Sequence, residues 1–279
     1  MKTRVNVFWT GGLDSTYRIC QLSKLNVDIY PYYFRFPFRH NINEELQAIN
    51  IMTTKISQKE DTKATLQPLQ IIEMEQIDDE KDIIEAYNWV KEHSVVEFGL
   101  KRFPVQYLYL ASFCKKKGIK CEIGMEYEPH SRIFSIINKY GALQEVKNNE
   151  IAYFQLDLEK SNSYLVTLLQ YFYYPIPLFY MSKLDEVEEY KKMGMEDVMK
   201  DTWFCHHPIN GKPCGFCSPC RQVVAAKMSY RLPQSAIWRN RFAYVFLLWT
   251  DKIGPLVKLF YFDFRCRWHS NASCSGNFM

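Results

Sequence analysis

A glycine turn close to the start of the chain constrains the fold more than any other feature. Residues 8–16 read FWTGGLDST. The β-branched and aromatic stretch before the turn predicts a strand, and the spacing of apolar residues after it predicts a helix. The turn therefore connects a strand to a helix, as in the units from which parallel α/β sheets are built.

This turn has the composition of a phosphate-binding site. A strand-to-helix turn directs main-chain N–H groups and the positive end of the helix dipole at one point. Gly11 and Gly12 allow the main chain to approach a ligand, because neither has a Cβ and both tolerate positive φ. Thr10 and Ser15 add hydroxyl donors, and Asp14 is placed to hold Mg²⁺ or to cap the helix. The alternative is a glycine turn that binds no ligand.

Spacing excludes two other phosphate-binding loops, since the chain contains neither G-x-x-x-x-G-K-[ST] nor G-x-G-x-x-G. The segment TGGLDS, residues 10–15, instead resembles the S-G-G-x-D-S loop of the N-type ATP pyrophosphatases, the PP-loop family. In that family a substrate oxygen attacks the α-phosphorus of ATP, pyrophosphate leaves, and a nucleophile then displaces AMP. The resemblance implies ATP and Mg²⁺ as cofactors, with Asp14 and Ser15 as catalytic residues. It also implies that the ATP phosphates are held by Thr10, Gly11, Gly12, Asp14 and Ser15.

Four cysteines near residue 210 form a second motif, C-x8-C-x2-C-x2-C. Four thiolates at this spacing, separated by Gly and Pro turns, suit a closed tetrahedral Zn²⁺ site. Oxidation into two disulfides is the alternative, which the expected absence of a secretory leader disfavours. We predict a structural Zn²⁺ ion that contributes on the order of 10 kcal/mol to folding. Its predicted ligands are Cys205, Cys214, Cys217 and Cys220.

The two motifs together resemble the 7-cyano-7-deazaguanine synthases, whose zinc array has the same spacing. The segment FRHNINEELQAI, with Arg39, His40 and Glu45, and the segment YMSKLDEVEEYKKMGM are also similar to that family. Its members adenylate 7-carboxy-7-deazaguanine, form an amide with ammonia, and use a second ATP to dehydrate the amide to a nitrile. The resemblance implies the same deazaguanine-like substrate here and a phosphate contact from Lys183. A solvent-exposed Lys183 is the alternative.

The resemblance is weakest where the substrate should bind. The family carries an Arg-Asn pair after Val-Pro, whereas this chain has Gln106 and Tyr107. Losing the arginine matters because its guanidinium fork matches a carboxylate. A later segment of the family is replaced by IGMEYEPHSRIF, in which four residues either recognise the substrate or lie on a solvated loop. They are Glu126, Glu128, His130 and Arg132.

Two other functions stay open. In the first, an amine on a protein or a nucleic acid captures the adenylated acid, and the basic C-terminal tail recruits this acceptor. In the second, the chain is a catalytically silent nucleotide-binding or scaffold protein. The intact glycine turn favours an enzyme, whereas the altered midsection favours the silent protein.

Composition is typical of a cytoplasmic enzyme. The chain has 279 residues, 47% of them hydrophobic, which is enough to bury a sizeable core. No apolar stretch of the length that a signal peptide needs follows the first residues, and no apolar run reaches the roughly 20 residues of a membrane span. We therefore expect no membrane partner. We also expect a homo-oligomer, in the form of a dimer.

The pattern along the chain predicts a doubly wound, mostly parallel α/β sheet with ligands at its carboxyl edge. The resemblance to the PP-loop family implies that this sheet is of the adenine nucleotide alpha hydrolase type. A small four-cysteine zinc module and a helical C-terminal extension complete the predicted fold. Predicted strands cover residues 27–36 and 120–127, and an extended segment lies within 63–74. Predicted helices cover 78–97, 104–118 and 182–194, the last with Ser182 as N-cap and Gly194 at its end.

We predict three parts along the chain: a PP-loop ATP-binding domain at 1–200, a zinc module at 201–230 and a basic, aromatic extension at 231–279. From Arg231 onward the chain has seven basic and two acidic residues. Apolar residues at helical spacing there predict a helix that docks on the core or on another subunit. The alternative is a basic surface for nucleic acid or an acidic protein. We expect about the last ten residues to be disordered.

Overall fold

The computed structural model describes residues 2–37, 39–77, 80–99, 103–127, 131–148 and 151–242. The chain divides into two compact units, with the boundary between His206 and His207. The predicted extension beyond Phe242, together with Glu128, His130 and the side chain of Arg132, lies outside the described residues.

The first unit alternates strands and helices. Its strands are β1 (Thr3–Phe8), β2 (Val27–Arg35), β3 (Thr65–Leu66), β4 (Gln70–Glu73), β5 (Cys121–Ile123), β6 (Leu143–Asn148), β7 (Ile151–Leu156) and β8 (Phe172–Pro175). Its helices are α1 (Leu13–Ser23), α2 (Ile42–Ser57), α3 (Lys81–Phe98), α4 (Gln106–Lys117), α5 (Arg132–Tyr140), α6 (Ser163–Leu169), α7 (Lys183–Lys192) and α8 (Glu196–Asp201). The second unit contains α9 (Ser218–Ala225), and residues 234–242 are helical.

The strands form a mostly parallel sheet, as predicted. Among the described residues the order is β3-β2-β1-β5-β8-β7-β6, and β4 also pairs with β2. The pairs of β1 with β2 and β5, of β2 with β3 and β4, and of β5 with β8 are all parallel. β7 runs antiparallel to both β6 and β8. The sequence analysis did not find this antiparallel edge, because β6 (LQEVKN) lacks the apolar alternation of a half-buried strand.

Helices cover both faces of the sheet. Side chains alternate between the faces along a strand. On one face, Phe8 and Phe34 contact each other with ring centroids 5.4 Å apart, in a core cluster that includes residues of α3, α4 and α6. On the other face, the Trp9 indole N–H donates to Thr16 Oγ1 of α1 at 2.9 Å. Helices α3–α6 contact one another, as do α1, α2, α7 and α8, so the sheet is doubly wound.

Several helix ends match the sequence prediction. Helix α4 ends at Gly118, which adopts a left-handed conformation with φ of 62°. Ser182 caps α7, and its backbone N–H and side chain exchange hydrogen bonds with Asp185 in a capping box. Gly194 follows α7 with φ of 66°. The helix predicted from residue 78 begins at Lys81. Polar N-caps and glycines therefore mark these helix ends in the sequence.

None of the helices in the described part of the chain combines the length and the apolar content that crossing a bilayer requires.

Candidate functional site

The turn between β1 and α1 depends on a glycine in the left-handed region. Gly11 has φ of +72°, and a Cβ there would lie 3.2 Å from both the carbonyl oxygen of Glu45 and Cγ1 of Ile49. Gly12 is the N-cap of α1 and brings no side chain to its first N–H groups. These N–H groups have no partner within the helix itself, so they are placed to bind an anion.

Two predicted hydroxyls converge on the same turn. Thr10 Oγ1 lies 3.2 Å from Ser15 Oγ, and the backbone N–H of Thr10 donates to Ser15 Oγ at 3.3 Å. The structure therefore brings together the five turn residues singled out from sequence, with hydroxyl and main-chain donors in one place.

Residues far along the chain hold the turn in this conformation. The backbone N–H of Trp203 donates to the carbonyl of Gly11 at 2.8 Å. The hydroxyl of Tyr190, on α7, donates to the carbonyl of Leu13 at 2.7 Å. Sequence reasoning missed both supports, because neither residue type signals a contact with a glycine turn.

Gly124 is a further residue that sequence reasoning missed. It directly follows β5, and a Cβ there would lie 2.7 Å from Ser15 Cα and 2.8 Å from its backbone nitrogen. Side-chain atoms cannot approach backbone so closely, so only glycine lets the end of β5 pass the start of α1. A glycine at the end of a buried strand was the available signal.

Next to the turn, Glu45 contacts Arg39 and residues on either side of Arg39 in the sequence. Glu45 is buried on α2 and accepts hydrogen bonds from Tyr33 Oη at 2.6 Å and from Asn41 Nδ2 at 2.7 Å. The guanidinium of Arg39 lies 3.4 Å from the carboxylate of Glu45. His40 is exposed. Since the carbonyl of Glu45 borders Gly11, this network supports the main chain of the turn.

Lys183, at the first position of α7, lies in a cluster of carboxylates beside the turn. Its Nζ is 2.5 Å from Asp14 Oδ1, 3.0 Å from Glu186 Oε1 and 3.5 Å from Glu126 Oε1. Burial by itself lowers the pKa of Lys183, but Asp14, Glu186 and Glu126 together raise it above its ordinary value. The lysine is therefore held as an ammonium ion next to the predicted phosphate site.

Glu186 is the most buried member of this cluster. Its side chain is 0% exposed, and burial, followed by the charge of Asp14, raises its pKa to about 9. Its Oε1 accepts from Lys183, whereas its Oε2 has no hydrogen-bond partner among the described residues. Glu186 was not predicted from the sequence, where it is one of several charged residues on an amphipathic helix.

The other residues that were predicted to face the substrate lie in two different places in the structure. Glu126 lies in the carboxylate cluster around Lys183. Gln106 begins α4, and Tyr107 is buried in the core, with its hydroxyl 3.9 Å from Met125 Sδ. Burial raises the pKa of the Tyr107 hydroxyl. Tyr107 therefore contributes to packing.

The four predicted metal ligands lie together. The Sγ atoms of Cys205, Cys214, Cys217 and Cys220 are all within 4.8 Å of one another, and all four side chains are buried. Cys214 Sγ and Cys220 Sγ are 3.8 Å apart. Tetrahedral Zn²⁺ with Zn–S bonds of about 2.3 Å separates its sulfurs by about 3.8 Å. A disulfide needs about 2.05 Å, so this pair fits a metal site.

Hydrogen bonds within the second unit order the cysteine loops. The backbone N–H of Cys217 donates to Cys214 Sγ at 3.3 Å. Arg239 Nε donates to the carbonyl of Cys214 at 2.7 Å, and Asn240 Nδ2 donates to that of Gly215 at 2.8 Å. A Cβ on Gly215 would lie 2.1 Å from the carbonyl oxygen of Ala236. The helical residues 234–242 thus contact the cysteine loops directly.

A cavity of about 380 Å³ lies at the opposite, amino edge of the parallel strands. Its lining includes Arg4, Asn6, Lys120, Tyr153 and Tyr173. None of the predicted site residues lines it.

Comparisons with known proteins identify no relative by sequence. No protein-family model matches the chain, and no curated protein matches it. Among solved structures, the crystal structure of a 4-thiouridine synthetase–RNA complex with bound ATP has a TM-score of 0.36 and 14% sequence identity. The match covers 84% of this chain and 52% of that one, so the chain spans about half the length of that structure. A likeness this distant assigns no family.

Proposed function

We propose that the chain is a PP-loop ATP pyrophosphatase that activates a carboxylate by adenylation and releases pyrophosphate and AMP. The observation that carries this proposal is the turn at the end of β1. Gly11, with φ of +72°, places the first main-chain N–H groups of α1 next to the hydroxyls of Thr10 and Ser15. Main-chain donors fixed in this way stabilise charge without reorganising during the reaction.

The residues of the turn have distinct roles in this proposal. The N–H groups that follow Gly11 and Gly12, with the hydroxyls of Thr10 and Ser15, hold the departing pyrophosphate. Asp14 is placed to bind Mg²⁺, which neutralises charge on phosphate oxygens when it is bound. Lys183, 2.5 Å from Asp14, supplies a positive charge at the same place. Together these groups stabilise the negative charge that accumulates on the leaving group.

The attacking group needs no general base. A carboxylic acid with an ordinary pKa of about 4 is already ionised at neutral pH, so its oxygen attacks the α-phosphorus directly. The products of this step are an acyl-adenylate and pyrophosphate. A nitrogen nucleophile then attacks the acyl carbon, and AMP leaves.

We propose 7-carboxy-7-deazaguanine as the acid, on the strength of the sequence resemblance. Ammonia would then give the amide, and a second ATP would drive its dehydration to the nitrile. The cysteine cluster would hold a structural Zn²⁺ ion, because its four ligands leave no coordination position open. The dimer and the cytoplasmic location also stay predictions.

The core position of Tyr107 favours a second candidate. Tyr107 stands where the synthases carry a polar residue, and it is 3% exposed. Gln106 beside it brings no charge to pair with a carboxylate. In this alternative the acyl-adenylate is formed in the same way, but the amine of a protein or nucleic acid displaces AMP.

One assay tests the activation step. Zinc-loaded protein is incubated with Mg²⁺, ATP and 7-carboxy-7-deazaguanine, and pyrophosphate and AMP are measured. We expect both products from the wild type and neither from Asp14→Ala. The matched control is Asp61→Ala, since Asp61 is exposed and pairs only with Lys24 among the ion pairs of the described residues. ADP as the product would contradict the proposed cleavage.

Mass spectrometry of the same reaction separates the candidates. A nitrile formed from ammonia supports the synthase reaction. A mass gain on an added protein or nucleic acid supports conjugation. Nucleotide binding without any AMP, with every acid and acceptor tested, would indicate the catalytically silent protein.

A further inference from the structure

Three carboxylates from separate elements surround the ammonium group of Lys183. Asp14 belongs to the first turn of α1, Glu126 follows β5, and Glu186 lies on the first turn of α7. One oxygen from each lies within 3.5 Å of Lys183 Nζ. Elements that meet at the carboxyl edge of the sheet thus bring three carboxyl groups to a single point, where they share one ammonium ion.

Lys183 contacts only one of the two carboxyl oxygens of Glu186, which leaves the other oxygen to coordinate a cation. The Glu186 side chain is 0% exposed, and its Oε2 has no hydrogen-bond partner among the described residues. Burying a hydrogen-bond acceptor without a partner is unfavourable. Glu186 is nevertheless fixed on a capped helix, one turn before Tyr190, which anchors α7 to the glycine turn.

Oxygen ligands of this kind suit a hard divalent cation. Mg²⁺ and related ions take carboxylate oxygens, and Mg²⁺ usually keeps several waters and contacts substrate phosphates as well. A lysine ammonium is a compact charge on a flexible stem of four carbons, so it can leave a carboxylate cluster without moving the backbone. Asp14 belongs to the proposed phosphate site, so a displaced Lys183 stays beside that site.

We propose that Asp14, Glu126 and Glu186 form a divalent-cation site in which the ammonium of Lys183 takes the place of the cation until the cation binds. The inference rests on the proposed function for the role of the cation, which would release Lys183 to contact phosphate. Glu186, which is not part of the glycine turn, becomes the innermost ligand of this site.

The test measures cation binding without nucleotide. Zinc-saturated, full-length protein is titrated with Mn²⁺, and free Mn²⁺ is followed by electron paramagnetic resonance. Zinc saturation keeps the thiolates occupied. Lys183→Met removes the competing ammonium, and we expect it to bind one Mn²⁺ roughly tenfold or more tightly than the wild type. Adding Glu186→Gln to Lys183→Met should remove roughly tenfold or more of that affinity.

The matched control is Lys192→Met. Lys192 lies on the same helix, is 67% exposed and pairs with Glu189. The Lys192→Met variant should bind Mn²⁺ with the same affinity as the wild type. Equal affinities for the wild type and Lys183→Met, or no effect of Glu186→Gln, would overturn the proposal.

Two further comparisons keep the test decisive if Lys183→Met does not fold. Lys183→Gln keeps a hydrogen-bond donor without the charge and should show the same gain. The wild type and Glu186→Gln, compared at millimolar Mn²⁺, should differ by roughly tenfold or more in affinity, and equal affinities would overturn the proposal. Because no assay here uses turnover, Mn²⁺ binding without AMP formation would refute only the proposed function. AMP formation with Mn²⁺ affinity independent of Glu186 would refute only the cation site.

Discussion

At the scale of single residues, the site depends on two glycines, because each lacks the Cβ atom that any other residue would place against neighbouring atoms. Gly124 has no room for a Cβ, and at Gly11 a Cβ would make tight contacts at 3.2 Å on a backbone with φ of +72°. At Gly11 the neighbours are a carbonyl and a side chain of α2, whereas at Gly124 they are backbone atoms of Ser15. The shape of the anion site is therefore set by close backbone contacts, which a single methyl group would disturb.

Gly124→Ala should impair nucleotide binding more than it impairs folding. The new Cβ would press on Ser15 at 2.7 Å and force the first turn of α1 to shift. We expect ATP affinity to fall roughly tenfold or more, because a displacement of about 1 Å is costly at a preorganised site. Isothermal titration calorimetry measures the affinity, and a urea melt measures the stability.

The control for this substitution is Gly99→Ala. Gly99 has φ of +61°, and no atom of the described residues would lie within 4 Å of a Cβ there. Its replacement should cost about 1 kcal/mol of stability through backbone strain and leave ATP affinity unchanged. Wild-type ATP affinity in Gly124→Ala would show that the contact with Ser15 does not shape the site.

At the scale of elements, a buried ion pair joins α1 to β5. Arg18 Nε and Nη2 donate to the two carboxylate oxygens of Glu122, each at 2.6 Å. Both side chains are buried, at 1% and 2% exposed. Because α1 begins at the glycine turn and Gly124 directly follows β5, the pair joins the two elements that form the site.

Arg18→Met should destabilise the fold by about 3–5 kcal/mol, because it leaves the Glu122 charge buried without a partner. Replacing Glu122 with Gln in the same chain should recover part of this loss. Arg35→Met is the matched control, since Arg35 pairs with Glu73 at the same 2.6 Å but on a more exposed surface. It should cost no more than about 1 kcal/mol. Equal losses in urea melts of the two single variants would contradict this account.

Local signals predicted the elements better than their contacts. The alternation of strands and helices, the cap at Ser182 and the stops at Gly118 and Gly194 could all be recognised from the sequence, because each depends on neighbouring residues. The contact of Glu186 with Lys183 is also local, but Asp14 and Glu126, which join the same cluster, lie far from it in the sequence. The antiparallel β6–β7 pair and the supports from Tyr190 and Trp203 depend on the packed fold, and no short pattern specifies them.

At the scale of the whole molecule, the cysteine loops depend on the helical residues after position 233. Arg239 and Asn240 satisfy carbonyls of the loops, and Gly215 admits the main chain of Ala236. The boundary of the zinc module at residue 230 stays a prediction. Within the second unit, hydrogen bonds join residues 213–215 to residues 234–242.

Two truncations test this dependence. A chain that ends at Arg231 loses Arg239 and Asn240, so its bound Zn²⁺ should pass to a chelator roughly tenfold or more faster than in the wild type. A chain that ends at Phe242 keeps these contacts and should hold Zn²⁺ as the wild type does. Release of zinc is followed with a chromogenic chelator. Identical rates for the two truncations, or zinc-free protein from the full chain, would contradict the structure of the second unit.

The hydrogen bond from Trp203 to Gly11 also bears on how the site arises during synthesis. Gly11 emerges from the ribosome early, but its carbonyl receives the N–H of a residue near the end of the first unit. A nascent chain folds as its segments become available, and contacts between distant segments form last. The turn is therefore complete only once residue 203 has been translated, so shorter nascent chains lack one of the bonds that shape the proposed nucleotide site.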